Sequence, residues 1–293
     1  MSMNLLNSSR NLTAAIMLAI IAASAQSVTA AIVKYLLYDY HVIQILFIRN
    51  AFLVIAVVVL GGAHHCSGLL RISDPLLQVS RAILPFFASI FLFLSLKYIP
   101  LAEATAIMFA SPLILTILSI YMLGERVGLW HWSAIAIGLV GVGIILRPGA
   151  DAGHWVAFFL LSAAALIALY QIITKTLSLS ASIASTLLIT GLVGSLLTII
   201  FLPFFWITPD LFGGFLIGCL GVAYGFSHYF WFKALSMAPA STLAPFVYTQ
   251  IVVASIFGFT VFHEVPDLQT VIGSAIIIGS GLIVFFQSRS SAA

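Results

Sequence analysis

Charge is what this chain has least of. Its 293 residues include 8 acidic and 11 basic side chains, 6% in all, against 62% hydrophobic residues. A soluble domain averages roughly 25% charged residues because its surface must face water. So few charges cannot cover such a surface, so the surrounding solvent is expected to be lipid. The net charge of +3 comes from basic residues scattered among segment ends, which reads as interfacial anchoring and excludes a nucleic-acid partner. Cysteine is almost missing: Cys66 lies in a loop and Cys219 in an apolar run, which suggests neither a disulfide framework nor a metal site. There is no His-Glu-x-x-His zinc motif, and no cofactor is expected.

The position of the acids excludes more. Asp39, Asp74, Asp151, Asp210 and Asp267 all fall in loops or at the ends of apolar runs, and no carboxylate falls near the middle of one. The paired acids of an intramembrane protease are therefore absent, as is a central carboxylate able to bind cations and protons. An enzyme reading has no chemistry to stand on.

What the chain does have is apolar runs of spanning length, which for a helix is about 20 residues. Ten are predicted, at 12–36, 42–60, 77–97, 101–123, 129–146, 155–175, 182–204, 211–235, 240–261 and 267–286. Turn chemistry separates them, at Tyr98-Ile-Pro100, Gly124-Glu-Arg126, Arg147-Pro-Gly149, Pro209-Asp210, Ala238-Pro239 and Val265-Pro266. The small residues around Ala22 to Ser27 resemble a signal-peptide end, but similar runs continue along the whole chain, so a retained first span is expected. The longest connection, about 61–76, is too short for a soluble domain.

Two segments repeat. Residues 95–146 and 234–285 align without a gap at a spacing of 139, matching Leu96 with Leu235, Pro100 with Pro239, Glu125 with Glu264 and Ile144 with Ile283. Ten spans in two copies leave five per copy. A copy that begins after an odd number of crossings enters the membrane upside down. The expectation is an all-α membrane protein of two inverted five-helix repeats, 1–148 and 149–293, around a central cavity. Basic residues favour a cytoplasmic N-terminus, with Arg10, Arg71, Arg81, Arg126, Lys175, Lys233 and Arg289 on that side and Lys34, Arg49, Lys97 and Arg147 on the other. Both termini are then cytoplasmic.

Several stretches carry a family likeness: Phe47-Ile-Arg49, Arg81-Ala-Ile83, Tyr98-Ile-Pro-Leu-Ala-Glu103 leading to Ser111-Pro112, Leu123-Gly-Glu125, and Gly138-Leu-Val-Gly141-Val-Gly143. His228-Tyr229, Ala238-Pro239-Ala240-Ser241, Phe262-His-Glu264 and Gly273 through Gly281 continue it in the second half. In these the chain resembles the drug/metabolite transporter superfamily, in its EamA-type branch. The resemblance implies a basket-like ten-helix bundle whose cavity is lined by helices 1, 3, 4, 6, 8 and 9, and which moves small organic solutes. The stretch from Ala244 to Gln250 resembles a subgroup of metabolite and vitamin carriers. One departure stands out: Pro112 in the fourth span aligns with Ile251 in the ninth, whose proline is Pro245. The two halves are therefore expected not to bend at matched heights.

Candidate substrate-binding residues are polar or pliable side chains within spans. Tyr224, Ser227, His228 and Trp231 follow i, i+3, i+4, i+7 spacing and share one helix face. Glutamine is costly against lipid, so Gln26, Gln171 and Gln250 are expected to point inward, together with Tyr170 and Tyr248. Met108 and Ser111 join Phe86, Phe87 and Phe109 as a prospective pliable wall. Arg49 and Arg81 lie inside spans, where a charge costs several kcal/mol unless it is paired or reaches the interface. Each is open to two readings, contact with an anionic substrate group or a structural role. Glu125 and Glu264 occupy matched turns on opposite faces, as gate latches pairing with basic residues or as solvated helix ends. The glycine stripes Gly138, Gly141, Gly143 and Gly273, Gly279, Gly281 are expected to pack helices closely within one monomer; monomer and homodimer both stay open.

The expected function is a secondary transporter in a bacterial inner membrane, moving a small organic metabolite such as an amino acid or similar zwitterion or weak anion by alternating access. The alternatives are an aromatic vitamin such as riboflavin or a drug-like solute and, from another class, a passive channel. The partners are the solute and the lipid bilayer.

Overall fold

In a computed structural model of the chain, residues 2–61, 74–123, 129–146, 154–177, 183–237, 243 and 246–290 are described. All regular structure among them is helical. The helices are α1 (Ser2–Leu36), α2 (Val42–Gly61), α3 (Pro75–Ser95), α4 (Leu101–Met108), α5 (Ala110–Leu123) and α6 (Leu129–Leu146). They continue with α7 (His154–Leu177), α8 (Ile183–Ile199), the single turn α9 (Leu202–Phe205), α10 (Leu211–Met237), α11 (Thr249–Phe262) and α12 (Leu268–Ser290). Among the described residues six stretches are long and apolar enough to cross a membrane: Leu12–Leu36, Val42–Val59, Pro75–Ser95, Leu101–Met122, Trp155–Thr174 and Leu211–Trp231. Four shorter apolar helices accompany them.

Two predicted spans are interrupted. The fourth breaks at Phe109 between α4 and α5, three residues before Pro112. A proline ring clashes with the carbonyl four residues back, here that of Met108, and removes a helical N–H. The Phe109 N–H turns to the Ala106 carbonyl at 3.1 Å instead. The ninth span breaks at Tyr248, the N-cap of α11, and Tyr248 is the repeat partner of Phe109. The halves thus interrupt at matched positions, against the expectation drawn from their unmatched prolines. The seventh span ends at Ile199 rather than 204, and Pro203 sits in the separate turn α9.

Two acids at helix starts serve as caps, whereas Asp74 at the start of α3 makes no side-chain capping bond. Asp210 Oδ1 accepts the Gly213 N–H at 2.8 Å, and Asp267 Oδ1 accepts the Thr270 N–H at 2.8 Å. Each satisfies an amide that a first helical turn leaves without a partner. Asp210 also accepts from the Tyr40 hydroxyl at 3.1 Å. Nearby, the buried Gln44 amide holds the Ile207 backbone twice: Nε2 donates to its carbonyl (2.8 Å) and Oε1 accepts its N–H (3.0 Å).

Packing follows a pattern. α1 lies against α10 and α3 against α7; α11 lies against α1 and α5 against α7; α2 lies against α10 and α3 against α8. α2 pairs with α8, α4 with α11, and α6 with α12. Exchanging the first five predicted spans with the last five maps every one of these pairings onto another or onto itself. The α6–α12 contact rests on the glycine stripes: a Cβ built on Gly141 would lie 2.9 Å from the Gly273 carbonyl oxygen, and one on Gly273 2.7 Å from that of Gly141. Gly138, Gly141 and Gly273 thus pack closely within one chain, whereas a Cβ on Gly143 or Gly279 would meet nothing within 4 Å.

Candidate functional site

Helices α1, α2, α3, α4, α5, α7, α8, α10 and α11 surround a hollow of about 370 Å³, within the size range of small-molecule sites. Gln26, Arg49, Met108, Ser111, Tyr170, Gln171, Tyr224, Ser227, His228, Trp231 and Gln250 all line it. The stripe on α10 therefore faces inward as a unit, and the three glutamines that sequence cost arguments turned inward reach one space from three helices. No Asp or Glu is among the lining residues.

Hydrogen bonds tie the wall across the two halves of the chain. Ser27 Oγ donates to the Gln250 carbonyl at 2.9 Å. Ser227 Oγ lies 3.1 Å from Gln26 Oε1. His228 Nδ1 lies 3.1 Å from the Tyr224 carbonyl; donation from Nδ1 to that oxygen leaves Nε2 as an acceptor. The Tyr224 and His228 rings stand 4.3 Å apart between centroids.

The two arginines separate. Arg49 lines the hollow, donates to Ser89 Oγ at 2.9 Å, and sits over the rings of Tyr224 (4.5 Å) and Phe93 (5.1 Å). Arg81, fully buried, stands behind the wall and does not line it. Its guanidinium bonds Thr174 Oγ1 (3.3 Å), the Thr186 carbonyl (2.7 Å) and Thr190 Oγ1 (3.0 Å), with the Tyr170 ring 5.2 Å away. It joins α3 to α7 and α8 and forms no ion pair among the described residues.

Glu264 forms an ion pair. Its carboxylate pairs with Lys34 at the end of α1 and accepts the Leu101 N–H at 2.9 Å at the start of α4. Lys34 also donates to the Ile99 carbonyl at 2.8 Å. His263 brings Glu264 there: its left-handed backbone (φ 56°) turns the chain so that the Glu264 N–H meets the Gly258 carbonyl. Leu101 is itself part of the cavity wall, so this cluster is bonded directly to the lining of the hollow. Glu125 lies outside the described residues.

Other expectations need correction. Tyr248 does not line the hollow; it packs against Phe109, which does. Phe86 is in the core and Phe87 is exposed, so neither furnishes the wall. Phe93, Thr105 and Pro85 line it and were missed, as was Lys34. Phe93 was readable, one helical turn beyond Ser89 on the same face, whereas Lys34 at a span end carries the signature of a simple interfacial anchor.

Comparison with known proteins agrees with this architecture. Over 258 residues the chain is 29% identical to the S-adenosylmethionine uptake transporter of Rickettsia prowazekii, covering 88% of this chain and 87% of that protein. The protein of the same name from Rickettsia bellii is 28% identical over 275 residues, 94% of this chain and 93% of the relative. A riboflavin transporter of Vibrio cholerae is 29% identical over 196 residues, 66% of this chain and 65% of the relative. One crystal structure superposes with a TM-score of 0.63 at 20% identity, covering 98% of this chain and 99% of the other, a likeness of fold. Residues 13–147 and 154–286 each match the EamA-like transporter family. A bundle of apolar helices around a small-molecule hollow, matched in both halves, makes this a multi-pass membrane transporter rather than an enzyme: the chain belongs to the EamA-like transporter family.

Proposed function

We propose that the chain is a secondary transporter of the bacterial inner membrane that carries a small zwitterionic metabolite by alternating access. S-adenosylmethionine, an amino-acid head joined to a purine ring, is the first solute to test. The observation that carries the reading is a hollow walled by helices of both halves, with the Lys34–Glu264 pair bonded to its wall at Leu101. The relatives named for S-adenosylmethionine uptake match along nearly the whole chain. The amide and aromatic lining suits a ring with hydrogen-bonding edges, and cation–π contact with those faces supplies what a sulfonium group needs where no acid is present.

In this reading all ten apolar helices span the membrane, as two inverted sets of five. Pairings that survive exchange of the halves support this arrangement, as does the five-span offset of the repeat. With both termini in the cytoplasm, the Lys34–Glu264 pair lies on the outer face and Gln171 towards the inner one.

The Vibrio cholerae relative favours a second reading, riboflavin. Counterflow in proteoliposomes separates these and also separates a carrier from a channel. Labelled S-adenosylmethionine should enter saturably and faster when the lumen holds unlabelled solute. Flux that rises linearly with concentration and shows no trans-stimulation rules out the carrier.

A further inference from the structure

Arg49 and Arg81 present a contrast that identifies a subsite. Both are buried cations, and a buried cation is costly unless hydrogen bonds or an opposite charge compensate it. Arg81 gives its donors to three threonine oxygens and stays out of the hollow. Arg49, 6% exposed, lines the hollow and makes one hydrogen bond, to Ser89 Oγ, whose own hydrogen goes to the Pro85 carbonyl at 2.7 Å. Its Nε has no hydrogen-bond partner, as is also true of Arg81 Nε, so the difference between the two lies in their terminal nitrogens. Among the described residues it forms no ion pair, and no carboxylate lines the cavity. The rings of Tyr224 and Phe93 hold the guanidinium plane in place without neutralising it. The site is therefore a fixed, oriented fork of donors lacking an anion, and a carboxylate is the group whose two oxygens match such a fork.

We propose that Arg49 binds the carboxylate of the transported solute. This rests on the carrier reading above and deepens it. It gives the cavity a carboxylate end on α2 and α3 and leaves the ring of the solute to the side of Tyr170, Gln171 and Trp231. It also ranks the two solutes that the relatives suggest, because S-adenosylmethionine carries a carboxylate and riboflavin does not.

The test uses the full chain in proteoliposomes, with S-adenosylmethionine, its decarboxylated form and riboflavin as uptake substrates and competitors. A charge-assisted hydrogen-bond pair corresponds to about 10- to 100-fold in affinity. The wild-type protein should therefore bind the decarboxylated form about that much more weakly. Arg49→Gln should weaken S-adenosylmethionine by a similar factor and no longer tell the two apart, while Arg49→Lys, which keeps charge without the fork, falls between. If Arg49→Gln fails to fold, the wild-type comparison and Arg49→Lys still decide. Equal competition by both forms in the wild type overturns the proposal, as does a folded Arg49→Gln protein that still discriminates. Saturable riboflavin uptake that neither adenosyl compound inhibits overturns the carboxylate assignment and leaves the carrier intact. Absence of saturable uptake for all three overturns both.

Discussion

Phe109 and Tyr248 stand 139 positions apart in the chain and meet in space, with ring centroids 4.9 Å apart and planes tilted by 43°. Each marks the point where its span stops being a continuous helix. Broken helices at the centre of a repeat pair are where carriers of this architecture place their solute. The contact also explains how Tyr248 matters without lining the cavity, since it supports the Phe109 ring that does.

Replacing either ring should therefore lower uptake. We expect Phe109→Ala and Tyr248→Ala each to reduce initial rates severalfold, with the double variant little worse than either single one, because paired aromatics couple by about 0.5–1.5 kcal/mol. Tyr248→Phe keeps the ring and should transport normally. A Tyr248→Phe defect equal to that of Tyr248→Ala would assign the role to the hydroxyl.

Gln171 differs in lining the hollow directly from α7. Gln171→Ala should raise the half-saturating concentration by about 3- to 10-fold through loss of a hydrogen-bonding group, with membrane expression unchanged. Unaltered uptake would remove Gln171 from the site.

The Lys34–Glu264 pair is testable by charge exchange. Lys34→Gln and Glu264→Gln should each open that end of the hollow more often. A cysteine at Thr105, in a background lacking native cysteines, should then react faster with a membrane-impermeant reagent applied on the Glu264 face. The double swap Lys34→Glu with Glu264→Lys should restore part of the protection. Identical labelling rates across the series would show that apolar packing alone closes this end.

Arg81 should behave as a structural residue. Arg81→Met removes bonds to α7 and α8 and leaves buried threonine oxygens without a donor, so the thermal midpoint should fall by several degrees. The surviving folded protein should retain near-normal solute affinity, which a binding role would forbid.

Close packing of α6 on α12 gives a further contrast. Gly273→Val forces a side chain against the Gly141 carbonyl and Ile145 and should destabilise the protein strongly, whereas a Cβ at Gly143 meets nothing within 4 Å. Gly143→Ala should be neutral or gain up to about 1 kcal/mol from helix propensity. Thermal midpoints of the two variants check this.

Much of the cavity was legible because lipid removes water as a partner. A glutamine or an i, i+3, i+4, i+7 polar stripe then has few places to go but inward, so Gln26, Gln171, Gln250 and the α10 face were recoverable from cost and periodicity alone. Contacts between residues far apart in sequence were not. Lys34 is 230 positions from Glu264, and nothing near either names the other. The interruption at Tyr248 was not legible because no matching proline marks it: Ile251 stands where Pro112 does in the other half. The two arginines looked alike in sequence, and only the neighbours of each guanidinium tell them apart.

A pair of hydrogen bonds between Gln44 and the Ile207 backbone, with Tyr40 donating to Asp210 beside it, fastens the start of α2 to the chain just ahead of α10. If the two halves rock as proposed, this tie makes the corner a hinge rather than a gap, so a cross-link across it should spare turnover, while the same cross-link placed across α4 and α11 should stop it.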